Sequence, residues 1–232
     1  MGFEGNHIQR MYRTRFPDEA QKAKEKIWET LVRFYFQRWI RPSDTVLDLG
    51  CGFGEFLNAL RCARRIGVDM NPDSRNHLHP GIEFHEGNIC DLNFLPENII
   101  DLVFISNVIE HLPNKFDAER MLGEVYRVLR RGGQLIVMGP NLRFLPTGYW
   151  DFWDHYIPVT DRSLAEILGV LGFQMTGCIP RFIPFTTHSA IPQNPWLVKL
   201  YLKLPLLWPI FGRQFLIHAS KAGDSGGIKN CP

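Results

Sequence analysis

The chemistry-bearing residues of this chain begin with a glycine cluster. Val46-Leu47-Asp48-Leu49-Gly50-Cys51-Gly52-Phe53-Gly54-Glu55 reads as an apolar strand running into a turn that opens a helix. Glycine permits a sharp turn and a close approach of backbone to ligand. The dinucleotide fingerprint G-x-G-x-x-G would need glycine three positions beyond Gly52, where Glu55 stands. A pyrophosphate at this helix start would face that carboxylate, which disfavours a nicotinamide-dependent oxidoreductase. A ligand carrying an amino group could instead be held by exposed carbonyls and by Asp48, and the alternative is a tight turn with no ligand. The next strand ends Gly67-Val68-Asp69-Met70-Asn71-Pro72, placing a carboxylate where an acid can take both hydroxyls of a ribose. Candidate proton acceptors are Glu110 and His111, and His155 in the run Trp150 to Thr160. Imidazole titrates near neutral pH, as a general base should. The structural alternatives are a turn cap or cofactor-cavity lining for Glu110 and His111, and loop anchoring for His155. Glu110, His111, Asp151 and Asp154 have neither the spacing nor the acid cluster that would compel a metal site, so none is expected.

The elements that must position these groups follow from the periodicity of the chain. With 45% hydrophobic, 12% aromatic and 22% charged residues, the 232-residue chain has the make-up of one globular domain. A net charge of +2 and a pI near 8.3 lack the basic footprint of a nucleic-acid binder. The cysteines Cys51, Cys62, Cys90, Cys178 and Cys231 form no C-x-x-C pair, which points to a reducing cytoplasm. The first residues show no apolar signal region, and Asn6 stands where a myristoylation start would have Ser or Thr. The apolar run Trp196 to Phe211 is broken by Lys199, Lys203, Pro205 and Pro209, and falls short of the roughly 20 residues a spanning helix needs.

Helical spacing is predicted over 18–40, 56–63, 120–130 and 161–171. The helix over 120–130 should be stopped by Gly132 and Gly133 as a C-cap, and that over 161–171 opened by a Ser163–Glu166 capping box and followed by Gly172. A short apolar run predicts a strand at 46–49, β-branched runs predict others at 65–69, 82–85, 101–106 and 134–138, and two more at 174–178 and 215–219 close the chain. This alternation implies an α/β, doubly wound, mostly parallel sheet with ligands beyond the carboxyl ends of its strands. One domain spans 1–221: an N-terminal helical segment (18–40), a half that carries the glycine turn (46–140) and a second half (141–221). The last carries an apolar, proline-rich insertion at 180–212, read as a lid or docking surface, and 222–232 reads as a flexible tail.

Five segments in order over 46–138, V-L-D-L-G-C-G-F-G, G-V-D-M-N-P, E-G-N-I-C-D-L, D-L-V-F-I-S-N-V-I-E-H-L and V-L-R-R-G-G-Q-L-I-V, resemble the motifs of the class I S-adenosylmethionine-dependent methyltransferases. Asp154-His155-Tyr156-Ile157-Pro158-Val159-Thr160, with Ser163-Leu164 and Gly172-Phe173, is similar to a small-molecule subgroup of that family. The resemblance implies a Rossmann-like seven-stranded sheet with an antiparallel last strand, S-adenosylmethionine as cofactor and S-adenosylhomocysteine as product. Carried over by motif, Gly50, Cys51, Gly52 and Gly54 line the methionine half, Asp48 lies near its amino group, and Asp69, followed by Met70, grips the ribose. Asn88 and Ile89 frame the adenine; the family usually has Asp where Asn88 stands, and an amide can still accept from the adenine amino group. Ser106 and Asn107 approach the sulfonium side, mostly through the main chain.

Methyl transfer asks the protein to align an acceptor and, for a hydroxyl, to remove its proton. The expected acceptor is a small-molecule or carrier- or lipid-linked hydroxyl, with a saccharide as one candidate. Nucleic acid is not expected, because Ser106-Asn107-Val108-Ile109 occupies the place of an N-P-P-F-type tetrapeptide. Phe144, Tyr149, Trp150, Phe152, Trp153 and Tyr156 form either an acceptor pocket or core beneath a loop. In 196–211, Lys199 and Lys203 share a helical face, leaving Leu197, Val198, Tyr201, Leu202 and Leu204 apolar. That face suits a helix lying at a membrane interface, giving a cytoplasmic protein peripheral membrane contact, or else docking on the sheet or a dimer partner. A rival of another class is a catalytically silent binding or assembly protein that keeps the fold.

Overall fold

The structure, a computed structural model, describes residues 18–184 and 194–223. Cys231, the chain start with Gly2 and Asn6, part of the apolar insertion (185–193) and most of the tail (224–232) lie outside the described residues. Seven strands form one sheet: β1 (Thr45–Leu49), β2 (Arg64–Asp69), β3 (Ile82–Glu86), β4 (Ile100–Ser106), β5 (Leu129–Pro140), β6 (Phe173–Ile179) and β7 (Gln214–Lys221). Their order is β3-β2-β1-β4-β5-β7-β6, parallel except for β7, which runs antiparallel to both β5 and β6. The helices are α1 (Asp18–Phe34), α2 (Glu55–Ala59), α3 (Lys115–Val128), α4 (Asp161–Val170), α5 (Pro195–Leu202) and α6 (Trp208–Phe211).

Alternating side chains of the central strands supply two cores, as the two-residue strand period requires. Leu47, Leu49, Val103, Ile105, Leu135 and Val137 pack on one face with residues of α3 and α4. Val46, Leu102, Phe104 and Ile136 pack on the other with α1, α5 and Phe182. Burial on both faces explains why β1, β4 and the centre of β5 read as near-continuous apolar runs.

Several expected boundaries are corrected. The helix predicted to residue 40 ends at Phe34, where Tyr35 leaves helical geometry and a 3-10 turn, Phe36–Trp39, follows. The helix predicted over 56–63 stops at Ala59, because Leu60 turns to extended backbone and buries its side chain. Gly132 and Gly133 are not a helix cap. The helix is Lys115–Val128, opened by Asn114 accepting from Asp117 N, and β5 begins at Leu129, whose backbone is extended and whose side chain is fully buried. The glycines instead form an irregularity inside the strand, between the pairs Ile100↔Leu129 and Leu102↔Gln134. The capping box of α4 is Thr160 with Ser163 at N3, not Ser163 with Glu166. Gly172 does follow α4 in the left-handed region (φ +89°).

α5 packs against α1, and this divides its apolar residues differently from the sequence expectation. Leu202 is buried and Val198 and Tyr201 are half-buried against the core. The exposed ridge consists of Trp196, Leu197, Leu200, Leu204 and, beyond them, Leu206 and Ile210. Among the described residues no helix is long and apolar enough to cross a membrane, and no disulfide joins Cys51, Cys62, Cys90 and Cys178.

Candidate functional site

The turn after β1 is built from three left-handed glycines, Gly50 (φ +70°), Gly52 (φ +53°) and Gly54 (φ +77°). A Cβ on Gly50 would lie 2.5 Å from Val108, so this turn and the loop after β4 approach as closely as backbone allows. The turn is tied to β2 by Gly50 N and Cys51 N donating to Val68 O (2.8 and 3.1 Å) and by Gly52 N donating to Asp69 Oδ2 (2.8 Å). Asp69 Oδ1 accepts from Asn71 N (2.8 Å), so one carboxylate fixes both loops while keeping lone pairs for a ligand. Asp48 and Asp69 are buried side by side with Glu55, and burial followed by this mutual repulsion pushes the Asp48 carboxyl well up. Burial likewise raises Asp69, against the hydrogen bonds it accepts.

Glu55 does not face the ligand position. Lys24 of α1 pairs with it at 2.8 Å and Gln21 donates to it at 2.9 Å. Burial works against its charge, but Lys24 and Gln21 outweigh burial and hold it below the usual glutamate range. The carboxylates left to the site favour a ligand bearing positive charge and hydroxyl donors and oppose a phosphate. Cys51 turns its thiol toward β2, where a Cβ on Gly67 would come within 2.9 Å of Sγ, and burial raises its pKa well above the ordinary thiol value. Only its main chain is available to a ligand.

Beyond β2 and β3 lies an open cleft of about 400 Å³ lined by Val68, His85, Gly87, Asn88, Asp91 and Phe94 among others. Gly87 N donates to the backbone carbonyl of Asp69 (3.0 Å), joining this cleft to the end of β2. Asn88 is exposed at its edge, its Oδ1 accepting from Cys90 N, while Ile89 is buried in the core and Met70 is half exposed. At the end of β4, Asn107 holds the left-handed region (φ +54°), unusual for a residue with a side chain. Asn107 Nδ2 donates to Ser106 Oγ (3.1 Å), and its buried Oδ1 has no partner among the described residues. The turn at Asn107 thus leaves one buried carbonyl beside the glycine turn without a partner among the described residues.

Glu110, His111 and His155 meet above the carboxyl ends of β4 and β5, their donor atoms all within 4.8 Å of one another. Glu110 is fully buried; its backbone carbonyl accepts from Tyr156 N and Ile157 N, and its Oε1 has no partner among the described residues. Burial raises its carboxyl pKa. His111 Nδ1 lies 2.9 Å from Asp154 O and 3.1 Å from Asp154 Oδ2. Two oxygen acceptors on Nδ1 mean that this nitrogen carries the proton, which leaves Nε2 as the basic atom of the neutral ring. Burial works against the imidazolium, but Asp154 and Glu110 outweigh it and raise His111 above the usual histidine range. His155 is almost fully buried, stacked on Phe152 at 4.9 Å and edge-on to Tyr149 and His111. That geometry packs the ring among the aromatic side chains of its own loop and against His111. The trio has the compactness of a metal site, and an oxygen acceptor on His111 Nδ1 orients a ligating imidazole as well as a catalytic one.

The aromatic residues of this loop divide between core and solvent. Tyr149 is core, hydrogen-bonded to Ile157 O and accepting from Val159 N, while Trp150, Trp153 and Tyr156 are exposed. The sequence reading passed over Asp154 as the group orienting His111 and Lys24 as the partner of Glu55. The first is adjacent to His155 and so was within reach; the second depends on how α1 docks.

Residues 47–137 match the family model described as "Methyltransferase domain". A Mycolicibacterium smegmatis protein named "Probable S-adenosylmethionine-dependent methyltransferase" is 32% identical over 164 residues, covering 66% of this chain and 62% of its own. The demethylmenaquinone methyltransferase of Symbiobacterium thermophilum is 32% identical over 160 residues, covering 60% of this chain and 61% of its own. The chain thus spans a little over three-fifths of the length of these curated relatives. Among solved structures, an S-adenosylmethionine-dependent methyltransferase from Archaeoglobus fulgidus superposes with a TM-score of 0.64 at 25% identity, over 85% of this chain and 94% of that one.

Proposed function

We propose that this chain, similar in sequence and fold to the class I S-adenosylmethionine-dependent methyltransferases, is one of them and methylates a hydroxyl oxygen of a small-molecule or carrier-linked amphiphilic acceptor. The carrying observation is the buried carboxylate pair Asp48 and Asp69 around a left-handed glycine turn, with Lys24 taken up by Glu55. These residues fit the cofactor. Asp48 would face its amino group, Gly50, Cys51, Gly52 and Gly54 its methionine half through the main chain, and Asp69 with Met70 its ribose. Asn88 and Ile89 would border the adenine, and Ser106 and Asn107 the sulfonium. When bound, S-adenosylmethionine supplies an electrophilic methyl that is lost by in-line displacement without a covalent enzyme intermediate.

His111 is the proposed base: Nε2 accepts the acceptor's hydroxyl proton while Asp154 holds Nδ1–H and stabilises the imidazolium that forms. Glu110 adds negative charge beside that cation, and His155 fixes the loop that carries Asp154. No metal is assigned to the trio. The exposed ridge within 196–211 fits peripheral contact with a membrane, and a cytoplasmic location follows from the cysteine usage.

Thermal unfolding with S-adenosylmethionine, S-adenosylhomocysteine or NADH tests the reading. A ligand at about 100 times its Kd adds roughly 2.7 kcal/mol, or several degrees at this size. Stabilisation by the first two alone, lost in Asp69→Ala, together with methyl transfer to a hydroxyl-bearing amphiphile, is the expected result. No shift with either, in folded protein, removes the enzyme reading and favours the silent binding protein.

A further inference from the structure

Between Glu166 and Asp224 the sequence contains no acidic residue, yet it carries Arg181, Lys199, Lys203, Arg213 and Lys221. Two of these cations are forced together. Arg181 donates to Gly212 O (Nε, 3.0 Å) and Ile210 O (Nη2, 2.7 Å), and Arg213 donates to the same two oxygens from Nη1 (3.0 and 3.2 Å). Two guanidinium groups therefore converge on one pair of carbonyls at the end of α6. No ion pair joins either to a carboxylate among the described residues, and each retains N–H donors. The two like charges repel, an anion between them would offset that repulsion, and planar guanidinium forks match phosphate oxygens.

The location of the pair limits what that anion can be. Arg181 follows the carboxyl end of β6 and Arg213 precedes β7, whose first residue Gln214 pairs with Pro140 at the end of β5. The pair thus lies on the same edge of the sheet as Glu110, His111 and Asp154. On this edge and beside it stand large exposed apolar groups: Leu206 at 88% exposure, Ile210 at 58%, and Trp153 at 84% in the loop after β5. Arg181 also lies over the Phe144 ring, 4.9 Å from its centre. Cations flanked by exposed aliphatic and indole side chains match the headgroup layer of a bilayer, where phosphates meet hydrocarbon.

We propose that Arg181 and Arg213 seat the phosphate of an anionic phospholipid, docking this edge of the sheet on a bilayer with Leu206 and Ile210 inserted. The proposal rests on the methyltransferase reading only in its consequence: the acceptor mouth would face the membrane that holds an amphiphilic acceptor. The docking itself needs no turnover.

The test is flotation of the full chain with vesicles of phosphatidylcholine alone or mixed with phosphatidylglycerol. Binding to the mixed vesicles, weakened by salt, is expected, with little on the neutral ones. Arg181→Ala/Arg213→Ala should lower partitioning about thirtyfold, from two charges near an anionic surface. Because those arginines also hold backbone carbonyls, Leu206→Glu/Ile210→Glu is the independent variant and should abolish flotation. Thermal stabilisation by S-adenosylmethionine, retained in both, shows intact folding and separates this result from the cofactor reading. Equal binding to neutral vesicles, or partitioning unchanged in either double variant, overturns the proposal. So does displacement by inorganic phosphate beyond that by sodium chloride of equal ionic strength, which would make the pair a site for a soluble phosphate.

Discussion

Replacing Lys24 by Met should uncouple α1 from the glycine turn. Glu55 is 6% exposed and its carboxylate is held by Lys24 at 2.8 Å and Gln21 at 2.9 Å. Removing one member of a fully buried ion pair costs about 3–5 kcal/mol, because the other charge is left without compensation. Lys24 is 31% exposed, so water shares in that compensation and the expected loss is about 1–3 kcal/mol. The sign with pH follows from the paired Glu55 carboxyl, which in the folded protein is held below its unfolded value near 4.5. Its stabilising contribution is present above that value and lost as pH falls through the folded one. In the variant, burial without Lys24 raises Glu55 instead, and protonation then relieves the strain. The Lys24→Met penalty should therefore be largest at neutral pH and shrink on acidification below pH 4.5. Urea unfolding at both pH values reads this directly, and a cycle with Glu55→Gln isolates the pair. A neutral-pH penalty under about 0.3 kcal/mol, or one that does not change on acidification, would refute the pairing as the cause.

Methyl transfer by the wild type should rise with pH through the raised pKa of His111, because Nε2 must be deprotonated to accept a proton. Asp154→Asn should move that limb to lower pH and reduce kcat, as a pH–rate series on the two proteins would show. Chelation with EDTA should leave activity unchanged, since no metal is assigned to Glu110, His111 and His155; loss on chelation and recovery with a divalent ion would make the trio a metal site. Gly50→Ala should cost about 2–5 kcal/mol, from about 1–2 for a left-handed non-glycine residue and 1–3 for forcing Cβ against Val108. Gly81→Ala, also left-handed (φ +85°) but with nothing within 4 Å of its Cβ, should show only the first of these by denaturation.

The strands and the cofactor-side residues were legible because each is encoded locally. Apolar runs buried on both faces mark β1, β4 and β7, and the glycines and Asp69 sit where their strands end. The misplacement of Gly132 and Gly133 has an equally local cause: a glycine pair after a helical pattern ordinarily caps it, but here Leu129 was needed in the sheet opposite Ile100. The inward turn of Leu202 and the pairing of Lys24 with Glu55 depend on α1 lying between them, a contact between segments far apart in sequence. Asp154 was assessed only as a metal ligand. Its partnership with His111 depends on the loop after β5 folding back over the end of β4.

The placement of β7 has a consequence for the order in which the molecule can assemble. Among the described residues β6 pairs with no strand except β7, and β7 fills the space between β6 and β5. When the chain emerges from its amino terminus, β3, β2, β1, β4 and β5 can assemble in turn, but β6 has no neighbour until residues 214–221 arrive. Until then β5 presents Gln134 to Pro140 as an unpaired apolar edge, the kind of edge on which other chains associate. The closing strand is also the one that carries Arg213 to its start, so the sheet's last hydrogen bonds and the cationic pair beside the acceptor edge form in the same event.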